Sequence, residues 1–417
     1  MPETEERVLL IGLRKRGISE WEVNDHLDEL AQLAATAGAQ VVGRFTQSCT
    51  RIDPATFIGK GKVQELTAEV QQRSVHSVIF DDDLSPAQVR NLEQELDTKI
   101  LDRSGLILHI FALHAQSREA RTQVELAQLN YLLPRLTRRW VHLSRQVGGI
   151  GVRGPGETQL ESDRRLVKER ISRLRKDLTK IEKSRHVRRQ RREHLFRIAI
   201  VGYTNSGKST LLNALTGAEV LVEDRLFATL DATTRKLNLT PQTVILLTDT
   251  VGFIRKLPHH LVASFRSTLE ETVQADLLLH VVDLSHPQFR AQMETVKTVL
   301  TDLQLNERPE LLVFNKVDMI KDSVALEWAR STYPSAVFVS ALLGIRLNSL
   351  VQRLTDLVLK EYVEGNLILH PHQSASIGKL YRLAEVLEME QRDGLLHFRF
   401  RTHRTTLNHV LSLVELK

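Results

Sequence analysis

Apolar residues come in short runs along this chain, and the spacing between them changes along its length. In the first hundred or so residues, runs at 8–11, 77–80 and 99–101 have the length of strands, while 20–37, 63–73 and 86–96 carry the helical period. That alternation predicts an α/β domain. From about Gln116 the pattern changes: Leu126, Leu129, Leu133, Leu136 and Trp140 recur at steps of three and four, and after a glycine-rich break the spacing returns in Val167, Ile171, Leu174, Leu178 and Ile181. A heptad seam shared by two helices joined through a loop predicts an antiparallel helical hairpin.

A buried strand is predicted at 196–201. Strand and helix signals then alternate to about Tyr362, with apolar runs at 244–247, 277–282, 311–314 and 336–339, each preceding a polar turn. In a doubly wound sheet such turns line the ligand crevice at the carboxyl ends of the strands. Residues 370–373 read as a linker, and alternation over 395–401 predicts a small α/β appendage. The expected fold class is multidomain α/β, with an N-terminal α/β domain at 1–115, a basic antiparallel helical hairpin at 116–195, a doubly wound P-loop domain at 196–364 and a small C-terminal α/β domain at 365–417.

Composition narrows the class. With 42% hydrophobic and 26% charged residues over 417 positions, the chain has the makeup of an ordinary globular protein with room for several cores, not of a disordered or fibrous one. No run approaches the roughly 18 apolar residues that span a bilayer, and the first six residues are acidic where a signal peptide would be basic. A cytoplasmic protein without stable membrane insertion is expected. The single cysteine, Cys49, excludes an intrachain disulfide, and the histidines lack zinc-site spacing. Net charge is +6, yet residues 135–197 hold 20 Lys and Arg against 7 Asp and Glu, so the basic character sits in one segment. A polyanion would be drawn to it through counterion release; a solvated helix face is the other reading.

The chemistry is concentrated between Gly202 and Ala341. Gly202-Tyr-Thr-Asn-Ser-Gly207-Lys208-Ser209 follows one predicted strand and opens a helix, as a phosphate-binding loop must. Its glycines allow close backbone wrapping, and the N–H groups of Asn205, Ser206, Gly207 and Thr210 can face phosphates. Lys208 reaches the outer phosphates, and the Ser209 hydroxyl can ligate Mg2+. Asp249-Thr-Val-Gly252 ends the run at 244–247, where a carboxylate can hold that magnesium through water and a glycine N–H can meet the terminal phosphate. Asn315-Lys316-Val-Asp318 ends another strand, and the Asp318 carboxylate can accept two hydrogen bonds that guanine donates and adenine does not. Ser340-Ala341 closes the base pocket. Within Phe227-Ala-Thr229-Leu-Asp-Ala-Thr233-Thr234, Thr229 is the first choice for magnesium ligand and phosphate sensor, with Thr233 and Thr234 behind it. These motifs predict a GTPase.

Two positions bear on hydrolysis. Phe253 follows Gly252, where many GTPases place a glutamine that orients the attacking water, so intrinsic hydrolysis should be slow until another group orders the water. No catalytic residue is assigned beyond Asn205, which resembles the asparagine by which potassium-activated GTPases of the TrmE type hold K+ near the phosphates; loop geometry is the other reason for an asparagine there.

The chain as a whole resembles the HflX family of ribosome-associated GTPases. The resemblance rests on Phe57-Ile-Gly-Lys-Gly-Lys-Val63, on Ile100-Leu-Asp-Arg-Ser-Gly105, on the string from Gln123 to Arg135, on Gly148-Gly-Ile-Gly-Val-Arg-Gly-Pro-Gly-Glu-Thr-Gln-Leu-Glu161 and on Phe227-Ala-Thr-Leu-Asp231. Ala232 stands where the family usually has proline, and Ser206 where alanine is frequent; neither change removes a ligand. The resemblance implies a protein that binds GTP and GDP, docks on the large ribosomal subunit and its rRNA, splits stalled ribosomes under stress and leaves after hydrolysis; a monomer is expected. It places a hairpin tip carrying Arg145 and Arg153 in the subunit's interior, and Arg173, Lys176 and Arg188 on the second helix are then candidates for rRNA phosphates. It also raises ATP binding and RNA unwinding by the N-terminal domain, for which Gly59-Lys60-Gly61-Lys62 is the candidate anion site, with rRNA phosphate ranked above ATP. A large-subunit assembly factor and an ATP-dependent RNA helicase are the competing readings.

Overall fold

The computed structural model describes residues 6–136, 159–190, 195–218, 225–240, 243–256, 270–320, 323–404 and 406–413. They form two compact units, and the chain passes between them more than once. The first comprises Met1–Ile181 together with Glu223–Asp231 and Arg255–Ser267; the second comprises Glu182–Val222, Ala232–Ile254 and Thr268–Lys417.

The first unit is built on a four-stranded parallel sheet in the order β2-β1-β3-β4, from β1 (Glu6–Arg14), β2 (Ala39–Ser48), β3 (Ser77–Phe80) and β4 (Lys99–Asp102). Parallel strands need crossovers. These are α1 (Glu20–Thr36), α2 (Lys60–Gln72) and α3 (Pro86–Leu96). Capping boxes start two of them: Ser19 with Glu22 for α1, and Ser85 with Gln88 for α3. β2 has no counterpart in the sequence reading because as an edge strand its residues are mostly half-buried or exposed and lack an apolar run. α4 (Arg103–His114) was missed for the opposite reason. It is apolar nearly all round, with Leu106, Ile107, Leu108, Ile110 and Phe111 all buried, so it shows no amphipathic period.

α5 (Arg118–Leu132) and α6 (Gln159–Gln190) carry the heptad seam. Leu126, Leu136, Val167, Ile171 and Leu174 form one buried cluster, with Leu129, Leu133 and Leu178 packed against it. Arg170 pairs with Glu125 at 2.6 Å while Arg164 reaches the Leu136 carbonyl, which sets the two helices antiparallel. Asp102 organises the base of this arm. Completely buried, it caps α4 through the Gly105 N–H (2.8 Å) and accepts from Tyr131 (2.7 Å) and Arg135 (2.9 Å). Trp140, Arg145, Arg153 and the whole loop from Gly148 to Gly156 lie outside the described residues.

The second unit holds a six-stranded sheet in the order β10-β9-β8-β5-β7-β6. Its strands are β5 (Phe196–Gly202), β6 (Thr233–Asn238), β7 (Val244–Asp249), β8 (Leu277–Asp283), β9 (Glu310–Asn315) and β10 (Val337–Phe338). All pairings are parallel except β6 with β7. β6 escaped the sequence reading because only Leu237 of its six residues is buried. Helices α7 (Lys208–Thr216), α8 (Phe289–Asp302), α9 (Ser323–Thr332) and α10 (Leu347–Lys360) complete the doubly wound layer.

A three-stranded antiparallel sheet follows, β11 (Tyr362–Leu369), β12 (Glu385–Arg392) and β13 (Leu395–His403), in the order β11-β13-β12, with α11 (Ser374–Leu383) and α12 (Leu407–Leu411). β11 pairs with β13 from Tyr362 onward, so this sheet starts before position 365. Residues 370–373 are a turn inside the appendage, closed by Gln373 accepting from the His370 N–H at 2.9 Å, and not a linker in front of it.

Candidate guanine-nucleotide site

Within the second unit, β5 runs into the loop 202–207 and α7 opens at Lys208. Two glycines are required by geometry. Gly207 sits at φ 89°, and a Cβ there would lie 2.3 Å from Asn315 Nδ2; a Cβ on Gly252 would lie 2.7 Å from Thr204 Cα and 2.9 Å from Lys208 Nζ. The phosphate loop is held from the side by the segment after β7: the Thr204 N–H donates to the Phe253 carbonyl at 2.7 Å, and the Phe253 N–H to the Gly202 carbonyl at 3.0 Å.

Lys208 is buried, and its ammonium donates to the Tyr203 carbonyl at 2.8 Å. Burial pushes its pKa down to about 8, with Asp249 pulling back and Lys316 adding to the depression. An anion beside this group would favour its charged form. Ser209 Oγ lies 2.5 Å from Asp249 Oδ2 at the end of β7. Two oxygen donors so close together suit a hard cation of magnesium's kind. Among the described residues, no group of three or more His, Cys, Asp or Glu could hold a metal.

Asn315 does more than its motif announces. Its Nδ2 donates to the Ser206 carbonyl at 2.9 Å and its Oδ1 accepts from the Ala341 N–H at 2.9 Å, so one buried amide links the phosphate loop to the loop that closes the base pocket. Lys316, at φ 60°, pairs with Asp283 Oδ2 at 2.8 Å. Asp283 was not singled out from sequence, although its place at the end of β8 was the available signal. Asp318 stands exposed on the 3-10 turn Val317–Met319, while Ser340 is buried and its Oγ accepts from the Leu343 N–H.

Gly202, Asn205, Ser206, Gly207, Lys208, Ser209, Thr210, Asp249, Gly252, Asn315, Lys316, Asp318, Ser340 and Ala341 all belong to the second unit. Thr229 is placed in the first unit, with Glu223–Asp231. Of the lesser candidates, Thr233 and Thr234 open β6; Thr234 Oγ1 is hydrogen-bonded to Thr248 Oγ1 at 2.9 Å. The Phe253 ring is buried, which fits its lack of a water-positioning role.

In the first unit, the segments that frame Thr229 and follow Phe253 are bound by groups the sequence did not mark. Asp231 accepts from the Gln116 and Ser117 N–H groups at 3.1 and 3.0 Å, and Phe227 meets Phe111 edge-on with ring centroids 4.8 Å apart. Lys256 bridges Asp81 (2.6 Å) and Asp82 (3.1 Å), and Arg255 reaches Glu29 and Asp25. The anion site read into Gly59 to Lys62 is partly used internally, since the Gly59 N–H donates to Gln47 and Lys62 pairs with Glu65. Arg173 and Lys176 lie exposed on α6; the side chain of Arg188 is outside the described residues.

A mixed, mostly parallel sheet with its phosphate loop at the strand ends, a Ser–Asp oxygen pair beside a buried lysine, and an Asn-Lys-x-Asp turn define a P-loop GTPase. Three family profiles match successive stretches: GTP-binding GTPase N-terminal over residues 24–112, GTP-binding GTPase Middle Region over 114–192, and 50S ribosome-binding GTPase over 197–316. The chain is 46% identical over 398 residues to the GTPase HflX of Lacrimispora saccharolytica, covering 95% of this chain and 93% of that one. To the GTPase HflX of Escherichia coli K12 it is 43% identical over 381 residues, covering 90% and 89%. It belongs to the HflX family of GTPases. A solved GTP-binding protein from the archaeon Sulfolobus solfataricus, in complex with GDP, aligns with 84% of this chain and 98% of its own at 26% identity and a TM-score of 0.45.

Proposed function

We propose that the chain is a GTP-timed switch on the large ribosomal subunit, which splits stalled ribosomes under stress and leaves after hydrolysis. The observation that carries this reading is the union, in one chain, of a guanine-specific site with a basic, seam-packed helical arm. The profile described as 50S ribosome-binding GTPase supports the partner. The segments 1–115, 116–195, 196–361 and 362–417, the last boundary moved to the start of β11, are its proposed working parts.

In this reading Lys208 and the N–H groups of the loop hold the phosphates, and Asp318 reads the base. Ser209 and Asp249 would hold magnesium, which when bound offsets phosphate charge. Thr229 is the proposed third ligand and phosphate sensor, and Asn205 the proposed K+ ligand. Water is excluded from Phe253, so positive charge or water ordering for hydrolysis must come from another group, which the ribosome would supply.

The test is the GTPase rate with and without purified large subunits, read beside light scattering of intact ribosomes. Stimulation of roughly tenfold or more, with GTP-dependent splitting, is expected. An unchanged rate and no loss of scattering would remove the ribosomal reading while leaving the GTPase intact.

A further inference from the structure

A cavity of about 710 Å³ opens along β10, the edge strand of the six-stranded sheet, and none of the nucleotide-motif residues named above lines it. Its lining includes Arg330, Arg346 and Arg353 and not one carboxylate. Among the described residues none of the three arginines is in an ion pair with an acidic side chain. A surface built only for stability would answer three clustered cations with acids, as Arg399 and Arg401 are answered by Glu364 elsewhere in this unit.

The three cations are placed by the fold. Ser349 and Arg353, four apart on α10, share the helix face that lines the cavity, and Arg346, the N-cap residue at φ 58°, lines it at the helix's start. The helix begins at Leu347 with no side chain capping it, and its first N–H groups add partial positive charge at the same end. Arg330, in the last turn of α9, stands over the Phe338 ring at 5.6 Å, which holds its stem against the cavity wall.

We propose that this cavity is a second RNA contact, binding successive phosphates of a ribose-phosphate backbone without reading sequence. Seven residues along α10 separate Arg346 from Arg353 by about 10 Å, farther than one phosphate group extends. The volume is likewise several times that of one phosphate and matches a nucleotide-sized stretch of chain. Three arginines lining one cavity, two of them at backbone positions that far apart, suit a phosphodiester chain; a lone phosphate would be served by one of them. The choice of RNA as the polymer rests on the proposed function, whereas the anion preference does not.

The experiment measures binding of a fluorescently labelled twelve-nucleotide single-stranded RNA to the full chain by anisotropy over a series of KCl concentrations. The variants are a triple Arg330→Gln, Arg346→Gln, Arg353→Gln, its all-lysine counterpart, and Arg173→Gln with Lys176→Gln in the hairpin. The glutamine triple should lower the slope of log affinity against log salt by about two and weaken binding at least about tenfold at ~0.1 M salt. The lysine triple should keep the slope, and unchanged GDP affinity shows that each variant is folded. If the glutamine triple behaves as wild type while the hairpin variant loses binding, the cavity is not an RNA contact and the RNA-binding reading stands. Failure of the wild-type chain to bind the RNA sinks that reading together with the choice of polymer. Pyrophosphate that protects Arg346 or Arg353 from guanidine-modifying reagent, when RNA does not, overturns the proposal in favour of a small phosphate ligand.

Discussion

The Nδ2 of Asn315 and the carbonyl oxygen of Ser206 lie 2.9 Å apart, across 109 residues of sequence, and the same amide accepts from the Ala341 N–H. The pocket for the base and the cradle for the phosphates are thereby one object. Asn315→Ala should leave a buried carbonyl and a buried N–H without this partner, at a cost of about 2–4 kcal/mol. Both a lower urea midpoint and weaker binding of a fluorescent GDP analogue are expected. Full GDP affinity in a destabilised variant would show that the link serves folding alone.

In the proposed reading base choice rests on the carboxylate of Asp318, which is exposed. Asp318→Asn presents a donor where the guanine donors need an acceptor, so GTP affinity should fall by roughly 10²-fold or more while xanthosine triphosphate gains. Competition of the two nucleotides for one site reads the outcome. Retained preference for GTP would displace Asp318 from the base pocket.

Monovalent-cation dependence tests Asn205, held at φ 58° in the loop. Hydrolysis should be faster in K+ than in Na+ for the native chain, and Asn205→Ala should abolish the difference without much change in GDP affinity. Equal rates of the native chain in both salts would leave Asn205 as a residue of loop geometry.

The ion-pair network of the first unit sets a pH dependence. Burial opposes ionisation of the Asp82 carboxyl, but Lys256 and Lys15 outweigh it and hold the group below its ordinary value. A depressed carboxylate contributes stability that is present above its unfolded pKa of about 3.9 and is lost as pH falls through the folded value. Lys256→Met should therefore destabilise the unit at pH 7, and the difference should shrink as pH falls through the lowered folded value. Urea unfolding across that range measures it. Asp81→Ala removes one of the two acidic partners of the buried Arg103, which keeps Glu29, and one of those of Lys256, which keeps Asp82, and should cost about 1.5–3 kcal/mol at pH 7.

The phosphate loop, the Asp249 and Asn315 turns and the heptad seam were legible in the sequence because each is local. A strand that ends in a glycine-bearing turn and a helix that follows it put their backbone groups in place within a few residues, and a seam repeats its own period. The hairpin seam in particular needed only the spacing of Leu126, Leu136, Val167, Ile171 and Leu174. Strands β2 and β6 and helix α4 were illegible for want of a period, being edge strands in two cases and a fully wrapped helix in the third. Tertiary structure alone decided the rest. That Asn315 holds Ser206, that Asp283 pairs with Lys316, that the Thr229 segment joins the first unit through Asp231 and Phe111, and that three arginines from two helices line one cavity all depend on which distant residues packing brings within a few ångströms. Hydrogen bonds and ion pairs act only over such distances, so no local pattern in the chain encodes them.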